Sequence, residues 1–357
     1  MNKKLVALFS ALTLSLTAFL GGCSCSGATT LSFSNAFAGG DTISGAYAEK
    51  LVYDVEYKPD YNDALKKNAD LDGVMSFEFT NGKYVSEFKG SLTAAVLDGL
   101  TSDIKDKLSE TDSNAYSLHT EFTLDASVTI TDKTYDHTDY IYSTVYFAPA
   151  GLSFAPLYSK TESEYFIISA NKDSAAVLLV KTVYEVFYTQ KEYRAVQTAK
   201  TFDADETAPS LDDVESIEKT VKYDYRSVID NAQLLFAVRG VSLAEKASAV
   251  IPATSLNYDR ATSLRFTNAG TSEKRINVKY NGADISETVK YNALNFRVDS
   301  TNTAGTAQYI SVQADKTENL PHRALPIEYV KGLITYGNFS CMGALVFTLA
   351  EVEIINS

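Results

Sequence analysis

The chain has 357 residues, with 45 acidic against 32 basic side chains and a formal net charge of −13. A surface of this sign argues against nucleic acid as a partner, because affinity for nucleic acid comes largely from phosphate neutralisation by Lys and Arg. The chain has 23 tyrosines, no tryptophan and only three cysteines. This composition predicts a strand-rich fold that depends on its core and has no disulfide framework.

The N-terminal segment ends in a cysteine that belongs to the most specific motif of the chain. Residues 1–4 include two lysines, and Leu5–Leu20 is apolar and uncharged. That run has the length of a signal peptide core and is short for a helix that must cross ~30 Å of hydrocarbon. It leads directly into Leu20-Gly21-Gly22-Cys23. The pattern resembles the lipobox of bacterial lipoproteins; the alternatives are an ordinary signal peptide with a chance cysteine and an uncleaved anchor.

The lipoprotein resemblance implies a location for the mature protein. Residues 1–22 would be removed as a signal peptide, and Cys23 would carry diacylglycerol and palmitate, since two or more acyl chains hold a protein stably on a membrane. We therefore expect a protein of the cell membrane, lipid-anchored on the extracytoplasmic face, at the cell surface or in the periplasm. Residues 23–46 are rich in Ser, Gly, Ala and Thr. They are predicted to form a lipid-anchored flexible linker that spans ~25–30 Å.

The first part of the mature chain predicts a β-rich lobe over residues 47–202. Alternating apolar residues over Tyr47–Tyr57 are typical of a strand. A short helix is predicted at Tyr61–Asn68, and apolar residues at every fourth position from Leu92 to Leu108 predict an amphipathic helix. Between these helices, Asn81-Gly82 separates two alternating runs, which predicts a hairpin with a type I′ turn.

Two further strands are predicted on either side of a polar segment, at Ser117–Thr131 and Tyr140–Phe147. The segment between them includes Asp132, Asp136, His137 and Asp139. Carboxylates with one imidazole could hold a divalent cation. Because Asp is also favoured in turns through its own hydrogen bonds to the backbone, we interpret these residues as a polar hairpin loop and assign no metal site.

The second half of the chain predicts a second lobe after an acidic break. Residues 203–213 form this predicted acidic linker, and residues 214–357 form the predicted C-terminal β-rich lobe. Ser227–Val238 predicts a helix that a glycine closes, and Asn281-Gly282 predicts a further tight turn. One continuous domain over residues 47–357 is the alternative.

Motifs of the common enzyme classes are missing from the sequence. There is no Gly-x-Gly-x-x-Gly, no Gly-x-x-x-x-Gly-Lys, no His-Glu-x-x-His and no Gly-x-Ser-x-Gly. Only His119, His137 and His322 could serve a histidine-dependent site. We therefore expect no cofactor and no enzymatic activity. An envelope hydrolase that uses His137 or a pair of carboxylates ranks last among our hypotheses.

These patterns predict an α+β fold that is mainly antiparallel β, in one or two curved-sheet, half-barrel-like lobes with a few amphipathic helices. The outline resembles half-barrel lipid and lipoprotein carriers of bacterial envelopes. That resemblance implies a non-enzymatic binding or carrier protein for an apolar or amphipathic ligand. The alternative is a surface interaction or structural module that binds another envelope protein. The sequence identifies no ligand-binding residues.

Overall fold

The computed structural model describes residues 47–59, 75–90, 116–130, 132–147, 154–171, 174–189, 191–223, 228–298, 308–321, 324–336 and 339–355. The predicted signal peptide, Cys23, the linker over residues 23–46 and the helices predicted at Tyr61–Asn68 and Leu92–Leu108 lie outside the described residues. Within the described part of the chain, no helix has the length and apolarity needed to cross a bilayer.

The described residues form one sheet of fourteen strands. The strands are β1 (Ala48–Lys58), β2 (Met75–Lys89), β3 (Tyr116–Ile130), β4 (Lys133–Phe147), β5 (Pro156–Asn171), β6 (Ser174–Tyr188), β7 (Glu192–Asp203), β8 (Ile217–Lys222), β9 (Ser248–Thr254), β10 (Ala261–Tyr280), β11 (Ala283–Val298), β12 (Gln308–Gln313), β13 (Pro326–Tyr336) and β14 (Phe339–Ile355). Their order in the sheet is β8-β7-β6-β5-β4-β3-β2-β1-β14-β13-β12-β11-β10-β9. Two antiparallel meanders thus meet where β1 pairs with β14. The predicted mainly antiparallel β architecture is confirmed.

Strand β4 begins earlier than the sequence predicts. Ile130 pairs with Lys133, so only two residues connect β3 to β4. The loop predicted over residues 132–139 is therefore wrong, and most of these positions extend the strand. Cross-strand hydrogen bonds hold the polar side chains of Thr134, Asp136 and Thr138, as where Ser127 Oγ donates to Asp136 Oδ1 at 2.5 Å.

The hairpin predicted at Asn81-Gly82 is also wrong, because β2 continues through this dipeptide as one strand. Asn81 has a φ of 49°, and the register with β3 shifts between Thr80 and Lys83. The dipeptide therefore forms a β-bulge. A Cβ atom on Gly82 would lie 2.4 Å from the Val55 carbonyl oxygen, so glycine lets β1 approach closely at this point.

The turn predicted at Asn281-Gly282 is confirmed. Tyr280 pairs with Ala283, and the two residues between them have φ angles of 46° and 85°, as a type I′ turn requires. The tip of this hairpin contacts β14, where the backbone N–H of Asn281 donates to the Val352 carbonyl at 2.9 Å. Strands β10, β11, β12 and β14 contribute buried aliphatic side chains to one hydrophobic core: Ile276, Val278, Val289, Ile310, Val312 and Val352.

One short helical segment lies between the two meanders. It consists of the helix α1 (Leu234–Ala237) with a 3-10 turn on either side, at Asn231–Gln233 and Val238–Gly240. The predicted helix is confirmed at this place but begins later, at the Asp230 cap. The Phe236 ring inserts among those of Phe88, Phe147 and Phe154, with centroids 4.8, 5.8 and 5.6 Å away. The segment therefore closes one end of the core.

The predicted acidic linker joins two paired strands. Asp203 ends β7 and Ile217 begins β8, and the two strands pair antiparallel with Tyr193 opposite Val221. The intervening residues therefore form a connection inside the first meander. The division into two lobes stays a prediction.

Candidate ligand-binding face

We call the face of the sheet that carries Tyr53 and the main core the inner face. Directly paired residues of antiparallel strands point to the same face. The pairings join Tyr53 to Tyr84, Tyr84 to Phe122, and Phe122 to Ile141, on strands β1 to β4. We call these four residues the aromatic row. Tyr53 is fully buried, Tyr84 and Phe122 are partly buried, and Ile141 is 37% exposed, so the row opens towards solvent across the sheet.

The aromatic row lies between two buried rows of the same face. On one side is a row of buried hydroxyl residues: Ser86, Thr120, Ser143 and Thr161. On the other side Leu124 and Asp139 pair with each other and are 2% and 5% exposed. The exposed positions of the aromatic row therefore form an apolar strip with closed packing on either side.

A fully buried carboxylate closes the packing behind the hydroxyl row. Asp230 accepts hydrogen bonds from Ser159 Oγ at 2.6 Å, Tyr188 Oη at 2.5 Å and Tyr258 Oη at 3.2 Å. It also accepts one from the Ala232 amide at 2.8 Å, which caps the helical segment. Burial raises the pKa of Asp230, while these donors act in the opposite direction. Because its oxygens have their partners, we interpret Asp230 as a structural junction between β5, β6 and the second meander.

The structure separates the residues that were considered as metal ligands. His137 and Asp139 point to the inner face, whereas Asp136 is exposed on the opposite face and Asp132 is exposed in the turn. The separation follows from the alternation of β4, which the predicted loop would not have imposed. Among the described residues, no group of three or more His, Cys, Asp or Glu side chains is placed to hold a metal ion.

His137 instead lies near a carboxylate that the sequence did not single out. Its Nε2 atom is 3.6 Å from Glu164 Oε1 and 4.0 Å from Asp139 Oδ1, and all three side chains are largely buried. Nε2 itself has no hydrogen-bond partner. Burial lowers the pKa of His137, and the charge of Glu164 opposes this shift. The paired register of β4 and β5 ends at Tyr140 and Glu164, so the cluster lies where the two strands separate.

The other histidines do not join this cluster. His119 lies on the outer side of β3, with Nδ1 3.0 Å from Thr144 Oγ1 and Nε2 2.9 Å from Glu121 Oε1. His322 lies outside the described residues. A site that needs two histidines therefore has no support in the described part of the chain.

Lys331 is a cation on the inner face that sequence reasoning missed. It shares this face of β13 with Tyr329, whose ring centroid is 5.0 Å from that of Phe347, and it pairs with Leu345 on β14. The side chain is partly exposed, and no carboxylate of the described residues pairs with it. Burial lowers the pKa of its ammonium group. Its signal in the sequence is a single charged residue within the otherwise uncharged run of residues 329–336.

Two clefts among the described residues lie away from the aromatic row. One, of about 620 Å³, follows the polar end of the β3–β4 hairpin from Asp125 to Thr138. The other, of about 450 Å³, lies between β1 and the tip of the β10–β11 hairpin and includes Asp54, Lys279 and Glu351. Charged and polar side chains line most of the first cleft, and the second combines them with Val52, Val278, Ile285 and Ala350. Neither lining includes a Phe or Tyr side chain, so we regard the apolar inner strip as the better candidate for an apolar ligand.

Comparison with known proteins leaves the family of the chain open. No family model matches it, and no curated protein matches it. A solved structure with some likeness is the beta-barrel-like protein of domain of unknown function DUF1849 from Brucella abortus. The two chains are 10% identical, the match covers 87% of this chain and 99% of that chain, and the TM-score is 0.41. A likeness at this level carries no conclusion about the site.

Proposed function

We propose that this protein is a lipid-anchored, extracytoplasmic and non-enzymatic carrier that holds an apolar or amphipathic ligand on the inner face of its sheet. The observation that supports this function is the partly exposed aromatic row, in which Phe122 and Ile141 face solvent between two buried rows. Contiguous exposed apolar surface with a polar rim is typical of an interaction site.

The proposal agrees with the energetics of apolar burial. Covering 100 Å² of apolar surface stabilises a complex by about 2.5 kcal/mol. The ring of Phe122 is held in place by another inner-face ring, because its centroid lies 6.0 Å from that of Phe347. A ligand on this row therefore meets a surface that needs little reordering, which favours affinity.

Native purification followed by lipid extraction and mass spectrometry tests the carrier function. We expect a lipid to co-purify with the wild-type protein and to be depleted from the Phe122→Ser variant. Tyr142→Ser is the control, because it removes an aromatic side chain that is 38% exposed on the outer side of β4. No bound lipid in the wild type, or equal loss in both variants, would overturn the proposal.

The membrane anchor needs a test of its own. We expect Cys23→Ser to release the exported, signal-cleaved protein from the membrane while its fold stays intact. Membrane fractionation and the far-ultraviolet circular dichroism spectrum of the released protein measure the two effects. A variant that stays bound to the membrane after signal cleavage would show that the apolar attachment lies elsewhere.

One observation favours the alternative function, an interaction module for another envelope protein. Strand β8 is an edge of the sheet, most of its residues are exposed, and Ile217 is 60% exposed. An exposed edge strand can pair with a strand of a partner. Under this alternative, the wild type would form a cross-link to one envelope protein, and Thr220→Pro would abolish that cross-link. The amount of lipid that co-purifies would stay the same.

A further inference from the structure

The inner face combines an apolar surface with the ammonium group of Lys331, for which the described residues provide no carboxylate partner. Lys331 is flanked on its face by Tyr329 and by Leu345, which in turn pairs with Tyr57 of β1. By contrast, Arg239, a buried cation of the helical segment, pairs with Glu49 of β1. A buried or half-buried ammonium group without a counter-ion is unfavourable unless something supplies the negative charge.

Lys331 is also connected to the aromatic row by ring contacts. Tyr329, two residues before it, packs on Phe347, and Phe347 packs on Phe122. These contacts lead from β13 over β14 to β3, with centroid distances of 5.0 and 6.0 Å. Ile141 lies one strand further, at about 4.8 Å, so the path spans roughly 16 Å. One leaflet of a bilayer holds its acyl chains in ~15 Å, so the path has about the length of a long acyl chain.

We propose that Lys331 anchors the carboxylate of a long-chain fatty acid whose chain lies along the aromatic row. The inference rests on the proposed carrier function and names its ligand class. A single ammonium group complements one negative charge. Phosphate groups are more often met by arginine forks or several cations, and the described residues place no arginine beside Lys331. For this reason we favour a carboxylate over a phosphate headgroup.

The chemistry of Lys331 suits an exchangeable ligand. Its apolar surroundings strengthen attraction to an anion, because the effective dielectric constant there is lower than in water. Its partial exposure leaves the headgroup end of the ligand near solvent, so that release does not require the core to open. A hydrophobic residue at this place would bind the chain and would not distinguish acid from alcohol.

Direct binding of dodecanoic acid and dodecanol tests the inference. The measurement uses the full mature chain with Cys23→Ser, so that its own acyl group cannot compete, at pH 7 in isothermal titration. We expect the acid to bind about tenfold more tightly than the alcohol, as one charge-assisted contact provides. We expect Lys331→Met to remove this preference while the affinity for dodecanol stays the same. Lys160→Met, at an exposed position of β5, is the control and should keep the preference.

The outcomes separate this inference from the carrier function. If neither compound binds the wild type, both proposals fail. If both bind equally well, or if Lys331→Met keeps the preference for the acid, the carrier function stands and the role of Lys331 is overturned. Dodecyl phosphate is the third compound to measure. If it binds more tightly than dodecanoic acid and this binding depends on Lys331, the assignment to a carboxylate is overturned.

Discussion

Arg239 and Glu49 form a buried ion pair between residues 190 positions apart in the chain. Both terminal guanidinium nitrogens donate to the Glu49 carboxylate, and the two side chains are 1% and 2% exposed. Tyr47 Oη donates to the same carboxylate at 3.0 Å. The pair therefore holds the start of β1, where the predicted linker enters the fold, against the helical segment.

The Arg239→Met variant should destabilise the protein by about 3–5 kcal/mol, because it leaves the Glu49 charge buried without a partner. Urea unfolding followed by circular dichroism measures the change. Arg194→Met is the matched control: Arg194 pairs with Glu218 at 3.1 Å, but both side chains are exposed, so a loss of less than about 1 kcal/mol is expected. Similar losses in the two variants would contradict the structural role of the buried pair.

A second prediction compares two glycines that follow asparagine. Gly82→Ala should cost on the order of 3 kcal/mol, because its Cβ would lie 2.4 Å from the Val55 carbonyl oxygen and force β1 and β2 apart. Gly282→Ala should cost about 1 kcal/mol, because it meets no atom within 4 Å and is strained only by its φ of 85°. Thermal unfolding ranks the two variants, and the reverse order would show that Asn81-Gly82 is not a bulge against β1.

The same dipeptide shows what the sequence can and cannot predict. Alternation located β1 and β3 well, because one face of each strand is buried and the pattern records it. At Asn281-Gly282 the local turn preference also decided the structure. At Asn81-Gly82 the same dipeptide does not form a turn, because β2 pairs with β1 on one side and β3 on the other. Only the tertiary fold determines this pairing.

The candidate site was harder to predict than the strands. Strand pairing between separate parts of the chain places Glu164 beside His137. It also connects Lys331, through the rings of Tyr329 and Phe347, to the aromatic row. The predicted loop over residues 132–139 obscured the inner position of His137 as well, since a loop has no alternation. Tyr84, Phe122 and Ile141 were each predicted in or near strands, but their alignment depends on register, which a single sequence does not fix.

A third prediction concerns acid and His137. Since burial lowers the pKa of His137 below its ordinary value of 6.5, the unfolded chain takes up this proton at a higher pH than the folded chain does. Stability should therefore be greatest above pH 6.5 and should fall as the pH drops from there towards about 5. His137→Gln should flatten this part of the curve, measured as urea midpoints at fixed ionic strength. An unchanged slope in the variant would mean that another group titrates there.

The last prediction tests whether Lys331 is kept at the expense of stability. Without ligand, Lys331→Met should stabilise the protein by about 1 kcal/mol near pH 7, because it removes a partly desolvated charge and keeps a side chain of similar length. In the folded wild type, burial lowers the pKa of this ammonium group from 10.5. At alkaline pH below 10.5, the unfolded state therefore binds more protons than the folded state does. Wild-type stability should therefore rise towards pH 10 relative to the variant, and the two should converge.

Urea unfolding at pH 7 and at pH 9.5 measures this difference, with Lys160→Met as the control for the loss of a surface charge. A destabilised Lys331→Met protein at pH 7 would mean that a partner already compensates the ammonium group in the free protein. The group would then not be available to a ligand. A stabilised variant that has also lost its preference for dodecanoic acid would link the two properties, since the same uncompensated charge would then weaken the empty protein and strengthen the complex.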